Sequence, residues 1–351
     1  SLAARGRYTT FPNPRVGCVI VRDGVQVGQG WHERAGGAHA EIYALGVAGE
    51  LARGADLYVT LEPCSHHGRT PPCVDALIAA GVGKVYVAMQ DPNPKVAGSG
   101  VARLREAGIE VQVGLLEAAA RKLNRGFVSR MERGCPFVTL KLGASLDGRT
   151  AMASGESQWI TSPDARADVH RMRAEAGAVL SSSATVLADD PALTVREGMT
   201  VVRQPDRVVL DSAGRVPTSA RVWQEDGARR FWLCSVSASM PCAAGVNRVE
   251  CVSEILGRLA LGSVLSELAR AEINSVLVEC GPTLAGALLS GGWVDELIIY
   301  LAPSLLGDRA RGLAMIPGLE KLAQRVALEF VEVRQIGADL RITAVPVKGG
   351  H

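Results

Sequence analysis

The chain has 351 residues, 47% of them hydrophobic and 21% charged, with a formal net charge of +2. That length accommodates two domains, each with its own core, and the charge lacks the basic excess of a nucleic-acid-binding protein. No apolar run is long enough to cross a bilayer and no signal peptide is visible, so no membrane partner is expected.

Residues 1–6 read as the last turn of a helix ending at Gly6, which implies an upstream helical segment. Residues 17–21 and 25–28 flank Asp23-Gly24, a two-residue hairpin signal. Residues 39–51 read as a helix with Ile42, Leu45 and Ala48 on one face. A short strand over 56–61 delivers Glu62-Pro63-Cys64 to the sheet edge, and Pro71-Pro72-Cys73 opens a helix running to about residue 80. A strand over 84–89, a loop over 91–100, a helix over 101–107, a strand over 109–113 and a long helix over 115–132 follow. Alternating strands and helices predict a layered α/β sheet.

Gly134-Cys135-Pro136 breaks the long helix and marks a domain boundary, giving 1–135 and 136–351. Strands are expected over 137–143, 178–180, 207–210, 231–234, 275–280 and 296–301, with helices over 163–176, 264–271 and 282–289. Residues 328–345 form a closing pair of strands about Gly337-Ala338-Asp339. The stretch 215–252 has weak periodicity and takes no assignment.

His39-Ala40-Glu41, Glu62-Pro63-Cys64 and Cys73 carry the most specific chemistry. One imidazole and two thiols are the usual donors to a zinc ion whose fourth position stays open. The two halves of this site sit at helix starts, where partial positive charge favours thiolate. Zinc lowers the pKa of bound water toward neutrality, and Glu41, two residues past His39, can move the proton. Zinc with a non-ligand glutamate is the working pair of the nucleobase deaminases. Asn13, in Pro12-Asn13-Pro14, is the candidate amide for holding a substrate. A structural zinc closed by His66 or His67 is the competing reading. The residues between Cys64 and Cys73, which include both histidines and Arg69, make a longer spacer than the common Cys-x-x-Cys and suit substrate recognition.

In the second half, Gly281-Pro282-Thr283-Leu284-Ala285-Gly286 turns from a buried strand straight into a helix, whose first amides can cradle a phosphate. An ordinary strand–turn–helix connection reads the same way, and this is not the Gly-x-Gly-x-x-Gly fingerprint. Arg173 and Arg196 suit a phosphate, or a solvated surface. Glu279 ends a strand, where open α/β sheets bind ligands. Lys141, among apolar neighbours, points into the same cleft, and Trp159 fits either a ligand site or the core.

Pro12-Asn13-Pro14, His39-Ala40-Glu41 and the whole run from Glu62 to Cys73 closely resemble the bifunctional deaminase/reductase family of riboflavin biosynthesis. Asp91-Pro92-Asn93-Pro94, Lys141 to Arg149, Gly155 to Thr161 and Ala188 to Thr194 extend the resemblance over nearly the entire chain. It implies a cytidine-deaminase-like α/β/α domain followed by a dihydrofolate-reductase-like α/β domain. The implied substrate is a diaminopyrimidinone carrying a ribosylamino 5-phosphate; one domain removes a ring amino group and the other reduces the ribose to ribityl with NADPH. His39, Cys64 and Cys73 then correspond to zinc ligands and Glu41 to the proton shuttle. Gly143, Trp159, Thr185, Asp189, Ser212 and the turn Gly281, Pro282, Thr283, Leu284, Ala285, Gly286 and Ala287 fall on cofactor positions. Ser157, Arg173, Leu193, Arg196 and Glu279 fall on substrate positions. Cys280 departs from a usually small position and is expected to crowd the turn; residues 198–203 and 215–252 match no motif.

Two other functions compete: a stand-alone nucleotide or tRNA deaminase with an unrelated appended domain, and a zinc-stapled scaffold in which Glu41 is dispensable. The resemblance also implies a homo-oligomer, for which residues 293–301 are the candidate interface. The eight cysteines read as zinc ligands and buried free thiols, which fits a reducing cytoplasm.

Overall fold

A computed structural model of the chain describes residues 2–66, 71–94, 96–196, 203–238, 243–251 and 257–347. It divides into two compact units, Ser1–Cys135 and Pro136–His351.

In the first unit β1 (Gly17–Arg22) and β2 (Val25–Trp31) form an antiparallel hairpin. Asp23 and Gly24 both have positive φ, 51° and 77°, the turn that matches strand twist and that Asp-Gly adopts readily. Then come α1 (Ala40–Ala48), β3 (Asp56–Val59), α2 (Cys73–Ala80), β4 (Lys84–Val87), α3 (Ser99–Glu106), β5 (Glu110–Val113), α4 (Glu117–Leu123) and α5 (Arg125–Arg133). The sheet order is β2-β1-β3-β4-β5, with β3, β4 and β5 parallel. Alternation in β3 and β4 sends Leu57, Val59, Val85 and Val87 into a core with Ile20, Ala44, Leu77 and Leu104. Helix α1 lies hard on β2: a Cβ at Gly28 or Gly30 would come within 2.4 Å of the Ala44 or Ala40 carbonyl oxygen. That approach fixes the height of the helix start, where His39 sits.

Two sequence expectations differ here. Residues 2–8 form a 3-10 helix that runs through Gly6; glycine is needed there because a Cβ would meet the His32 carbonyl oxygen at 2.8 Å. The long helix over 115–132 is split at Asn124 into α4 and α5. The Asn124 Oδ1 accepts the Arg15 amide at 2.8 Å and its Nδ2 donates to the Arg15 carbonyl at 2.9 Å. This part-buried pair of bonds ties the chain two residues beyond Asn13 to the helical layer.

The second unit contains β6 (Phe137–Ser145), β7 (Arg149–Ala151), α6 (Pro163–Glu175), β8 (Ala178–Ser182), α7 (Ser183–Asp189), β9 (Asp206–Leu210), β10 (Arg230–Cys234) and β11 (Asn247–Glu250). It continues with α8 (Leu261–Arg270), β12 (Ser275–Glu279), α9 (Pro282–Ser290), β13 (Glu296–Ala302), β14 (Arg311–Gly312), β15 (Leu328–Ile336) and β16 (Asp339–Pro346). Among the described residues the main sheet has the order β11-β10-β9-β8-β12-β6-β13-β16-β15. It is parallel from β11 to β13 and closes with the antiparallel β16 and β15. The unassigned stretch 215–252 holds β10, β11 and a 3-10 turn at Arg221–Trp223, and part of it lies outside the described residues. Every residue of β10 is buried, so the strand shows no polar–apolar alternation to read.

Helix α6 starts at Ser162, whose hydroxyl accepts the Ala165 amide at 3.3 Å. Its buried Asp168 accepts the Tyr300 hydroxyl at 2.6 Å and Arg341 Nη1 at 3.1 Å, which ties the helix to β13 and β16. In the first unit, Asn124→Ala should cost about 1–3 kcal/mol, because the part-buried backbone groups of Arg15 lose their partners. Denaturant unfolding of the purified protein measures it, and an unchanged midpoint contradicts the anchoring role.

Candidate active sites

The zinc-type cluster is assembled from three local structures. His39 is the residue before the first turn of α1, Cys73 is the first residue of α2, and Cys64 lies on the segment that follows β3. His39 Nδ1 is 3.2 Å from Cys73 Sγ and 3.5 Å from Cys64 Sγ, and the Cys73 amide donates to Cys64 Sγ at 3.3 Å. All three donor atoms lie within 4.8 Å of one another. A hydrogen bond from Cys73 and further ones from His39 and the Cys73 amide outweigh burial and pull the Cys64 thiol well below the ordinary cysteine range. A neutral-pH thiolate beside a second thiol and an imidazole fits zinc. His66 is exposed and is not part of the cluster, while His67 and Arg69 lie outside the described residues.

Glu41 lies in the first turn of α1 and is buried; its Oε2 has no hydrogen-bond partner among the described residues. Burial is the main reason its carboxyl is pushed up to about 7. A buried carboxylate oxygen without a partner is costly, and here it sits at a cluster suited to zinc and an activated water.

Asn13 is held by a residue to which the sequence reading gave no role. Asn13 Nδ2 lies 3.1 Å from Nε2 of the buried His32, whose Nδ1 lies 3.0 Å from the Ala38 carbonyl oxygen. Since the carbonyl can only accept, Nδ1 carries the proton and Nε2 accepts from the amide. Burial lowers the His32 pKa, which favours that neutral form. The His32 ring meets the His39 ring edge-on at 5.4 Å between centroids, so Asn13 and the cluster belong to one site.

In the second unit several expected residues gather where the parallel strands end. Gly143 lies near the end of β6, Ser212 follows β9, Glu279 ends β12, and Thr185 is in the first turn of α7 after β8. The Gly281 amide donates to Thr185 Oγ1 at 3.2 Å, joining two expected cofactor positions. Gly281 precedes α9, with Pro282 at its first position, and Thr283, Leu284, Ala285, Gly286 and Ala287 form its opening turns. Lys141 and Glu279 are paired across β6 and β12.

Arg173 differs from the phosphate grip suggested by its charge. It is buried and gives Nε and Nη2 to the two Glu279 oxygens at 2.5 and 2.9 Å and Nη1 to the Thr194 carbonyl at 2.9 Å. Burial alone would raise Glu279, but Arg173, its hydrogen bonds and Lys141 hold the carboxyl down to about 2. Burial in turn pulls Lys141 below the ordinary lysine range, against the attraction of Glu279.

Leu193 is buried with φ of 54°, a conformation that costs a non-glycine residue energy. Arg196, Asp189 and Trp159 are exposed, and the Arg166 guanidinium lies 4.5 Å over the Trp159 ring, so Trp159 is not a core residue. Ser157 is half-buried before α6. Burial, then Glu279, pushes the Cys280 thiol up to about 12, so it stays protonated beside the turn.

The folded pKa of Glu279 lies below its ordinary 4.5. Its contribution to stability is therefore present above that value and is lost as pH falls toward 2. Acid unfolding of the second unit should accordingly be shallower in Glu279→Gln. Arg173→Met should cost about 3–5 kcal/mol by leaving a buried carboxylate unpaired, as read by denaturant titration of the reductase signal; a loss under 1 kcal/mol, the range of an exposed pair, contradicts the pairing.

Residues 1–89 match the pattern described as the cytidine and deoxycytidylate deaminase zinc-binding region, and residues 136–342 match the RibD C-terminal domain. The riboflavin biosynthesis protein RibD of Escherichia coli strain K12 is 56% identical over 97% of this chain and 95% of its own length. That of Haemophilus influenzae is 51% identical over 98% and 95%. A solved structure of Acinetobacter baumannii RibD superposes with a TM-score of 0.91 at 45% identity, covering 99% of this chain and 96% of that one. The Thermotoga maritima diaminohydroxyphosphoribosylaminopyrimidine deaminase/5-amino-6-(5-phosphoribosylamino)uracil reductase gives 0.87 at 36% identity over the same shares. Matches that run through both units rule against a deaminase with an unrelated appended domain: the chain belongs to the RibD family, the bifunctional deaminase–reductases of riboflavin biosynthesis.

Proposed function

We propose that the first unit removes a ring amino group from a diaminopyrimidinone bearing a ribosylamino 5-phosphate, with zinc held by His39, Cys64 and Cys73. The second unit then reduces the ribosyl group of that product to ribityl with NADPH. The observation that carries the first step is the buried, partnerless Glu41 oxygen beside a His/Cys/Cys cluster. The name of the Thermotoga maritima relative supports the substrate.

Zinc bound by those ligands supplies Lewis acidity that activates water at neutral pH. Glu41 would take one proton from the attacking water and place it on the ring nitrogen, and then carry a second, from the hydroxyl left on the ring carbon, to the amino group that departs as ammonia. Asn13, its amide nitrogen committed to His32, turns its oxygen toward donors on the substrate. In the second unit NADPH supplies the hydride, so the protein groups bind, orient and exclude water. The Gly281–Ala287 turn and Thr185 hold the cofactor phosphates, with Gly143, Trp159, Asp189 and Ser212 along its length. Glu279, kept ionised by Arg173, accepts from substrate hydroxyls, while Ser157, Leu193 and the exposed Arg196 line the rest of the substrate.

We place the enzyme in the cytoplasm as a homo-oligomer. The free thiols among the described residues suit a reducing compartment. The stretch 293–301, expected as the interface, runs instead into β13, an interior strand between β6 and β16; the exposed Phe330, Val331 and Val333 on β15 offer the apolar surface for self-association. Among the described residues no helix is long and apolar enough to cross a membrane.

Glu41→Gln keeps the size of the side chain and removes its basicity. Zinc content should stay at that of the wild type while ammonia release falls by about 10²–10⁴-fold, the range for a lost proton carrier. Reduction of pre-deaminated substrate should be unchanged. Wild-type ammonia release from this variant contradicts the assignment and favours a structural metal.

A further inference from the structure

We infer that Glu62 and Arg103 are positioning residues of the deaminase site, which act through helix α3 to set the separation of the two cysteine-bearing segments. The inference rests on the reading of His39, Cys64 and Cys73 as zinc ligands.

Helix α3 is preceded by Gly98, which has no side chain to cap it. The first amides of a helix lack intrahelical acceptors and carry partial positive charge. Glu62, from a different segment and buried, supplies the missing acceptors. Its Oε2 accepts the amides of Asp91 at 3.1 Å and Gly98 at 2.9 Å, and its Oε1 those of Gly100 at 2.9 Å and Val101 at 3.2 Å. Four N–H groups converge on one carboxylate, more than a neutral amide can satisfy. The contact is also sterically exclusive, since a Cβ at Gly100 would sit 2.1 Å from the Pro63 carbonyl oxygen. The helix start is thus locked onto the two residues that precede Cys64.

Arg103, one turn further along α3, reaches back the other way. Its Nη1 donates to the Ser65 carbonyl at 2.9 Å and its Nη2 to the Asp75 carboxylate. Ser65 follows Cys64, and Asp75 lies in the first turn of α2 after Cys73. Ser65 Oγ also lies 2.6 Å from Ser99 Oγ. One helix therefore grips the segment on both sides of Cys64 and the helix start that carries Cys73. Moving α3 moves the thiolates relative to each other, and a tetrahedral ion at thiolate distances tolerates little of that.

Cobalt-substituted protein reports on this directly, because thiolate-to-cobalt charge transfer depends on the metal–sulfur geometry. Wild-type protein should show the band, and Cys64→Ser should weaken it; absence of the band in the wild type overturns the zinc reading itself. In Glu62→Gln the band should shift and chelator competition should show metal affinity lower by about 10–100-fold, the range for lost support of a ligand shell. Arg103→Met, at a side chain that is partly exposed, should move both readouts in the same direction with the unit still folded. Reduction of pre-deaminated substrate should stay at the wild-type rate in both. A wild-type band and affinity in both variants overturns the inference.

Discussion

Three soft donor atoms can share one ion only if a strand end and two helix starts are held within a few ångströms of one another. His39, Cys64 and Cys73 meet that requirement in this chain, and most of the first unit serves it. The two glycines of β2 bring α1 against the sheet, and the Cys73 amide, at the start of α2, points at Cys64 Sγ. The same helix start that carries His39 buries Glu41 in its first turn. The proposed ligand and the proposed proton carrier are thus fixed by one element. Burial then sets the chemistry, since a carboxylate in a wet site would stay ionised and hydrated, whereas this one is raised toward neutrality.

The second unit meets a different constraint. Its chemistry needs a cofactor and a sugar aligned away from water, and the ends of its parallel strands hold buried charge. Glu279, Arg173 and Lys141 form a small ionic group in which the bidentate pair keeps the glutamate ionised despite its burial. Such a group costs desolvation and repays it only when the geometry is good. These groups and the Gly281 turn lie at the carboxyl ends of the parallel strands, the side on which open α/β sheets generally bind ligands.

Much of this was legible in the sequence. The Asp23-Gly24 turn, the proline-led start of α2 and the His39, Glu41, Cys64 and Cys73 set each depend on local rules or fixed spacing. What stayed hidden depends on contacts between residues distant in the chain. Asn124 splits a helix because of Arg15; His32 matters because of Asn13; Glu62 caps a helix that begins dozens of residues later. Arg173 shows the same limit from the other side, since its charge suggested a phosphate and only the fold reveals Glu279 as its partner. Strand β10, buried on both faces, gave no alternation to follow.

The most direct test of two chemistries in one chain is single-turnover mass spectrometry with the diaminopyrimidinone ribosylamino phosphate, with and without NADPH. Without NADPH the substrate should gain about one mass unit, as an amino group becomes a carbonyl, and with it about two more, from hydride plus proton. Deamination without any further gain when NADPH is present contradicts the reductase assignment. No mass change in either condition, with zinc bound, contradicts the account of both sites.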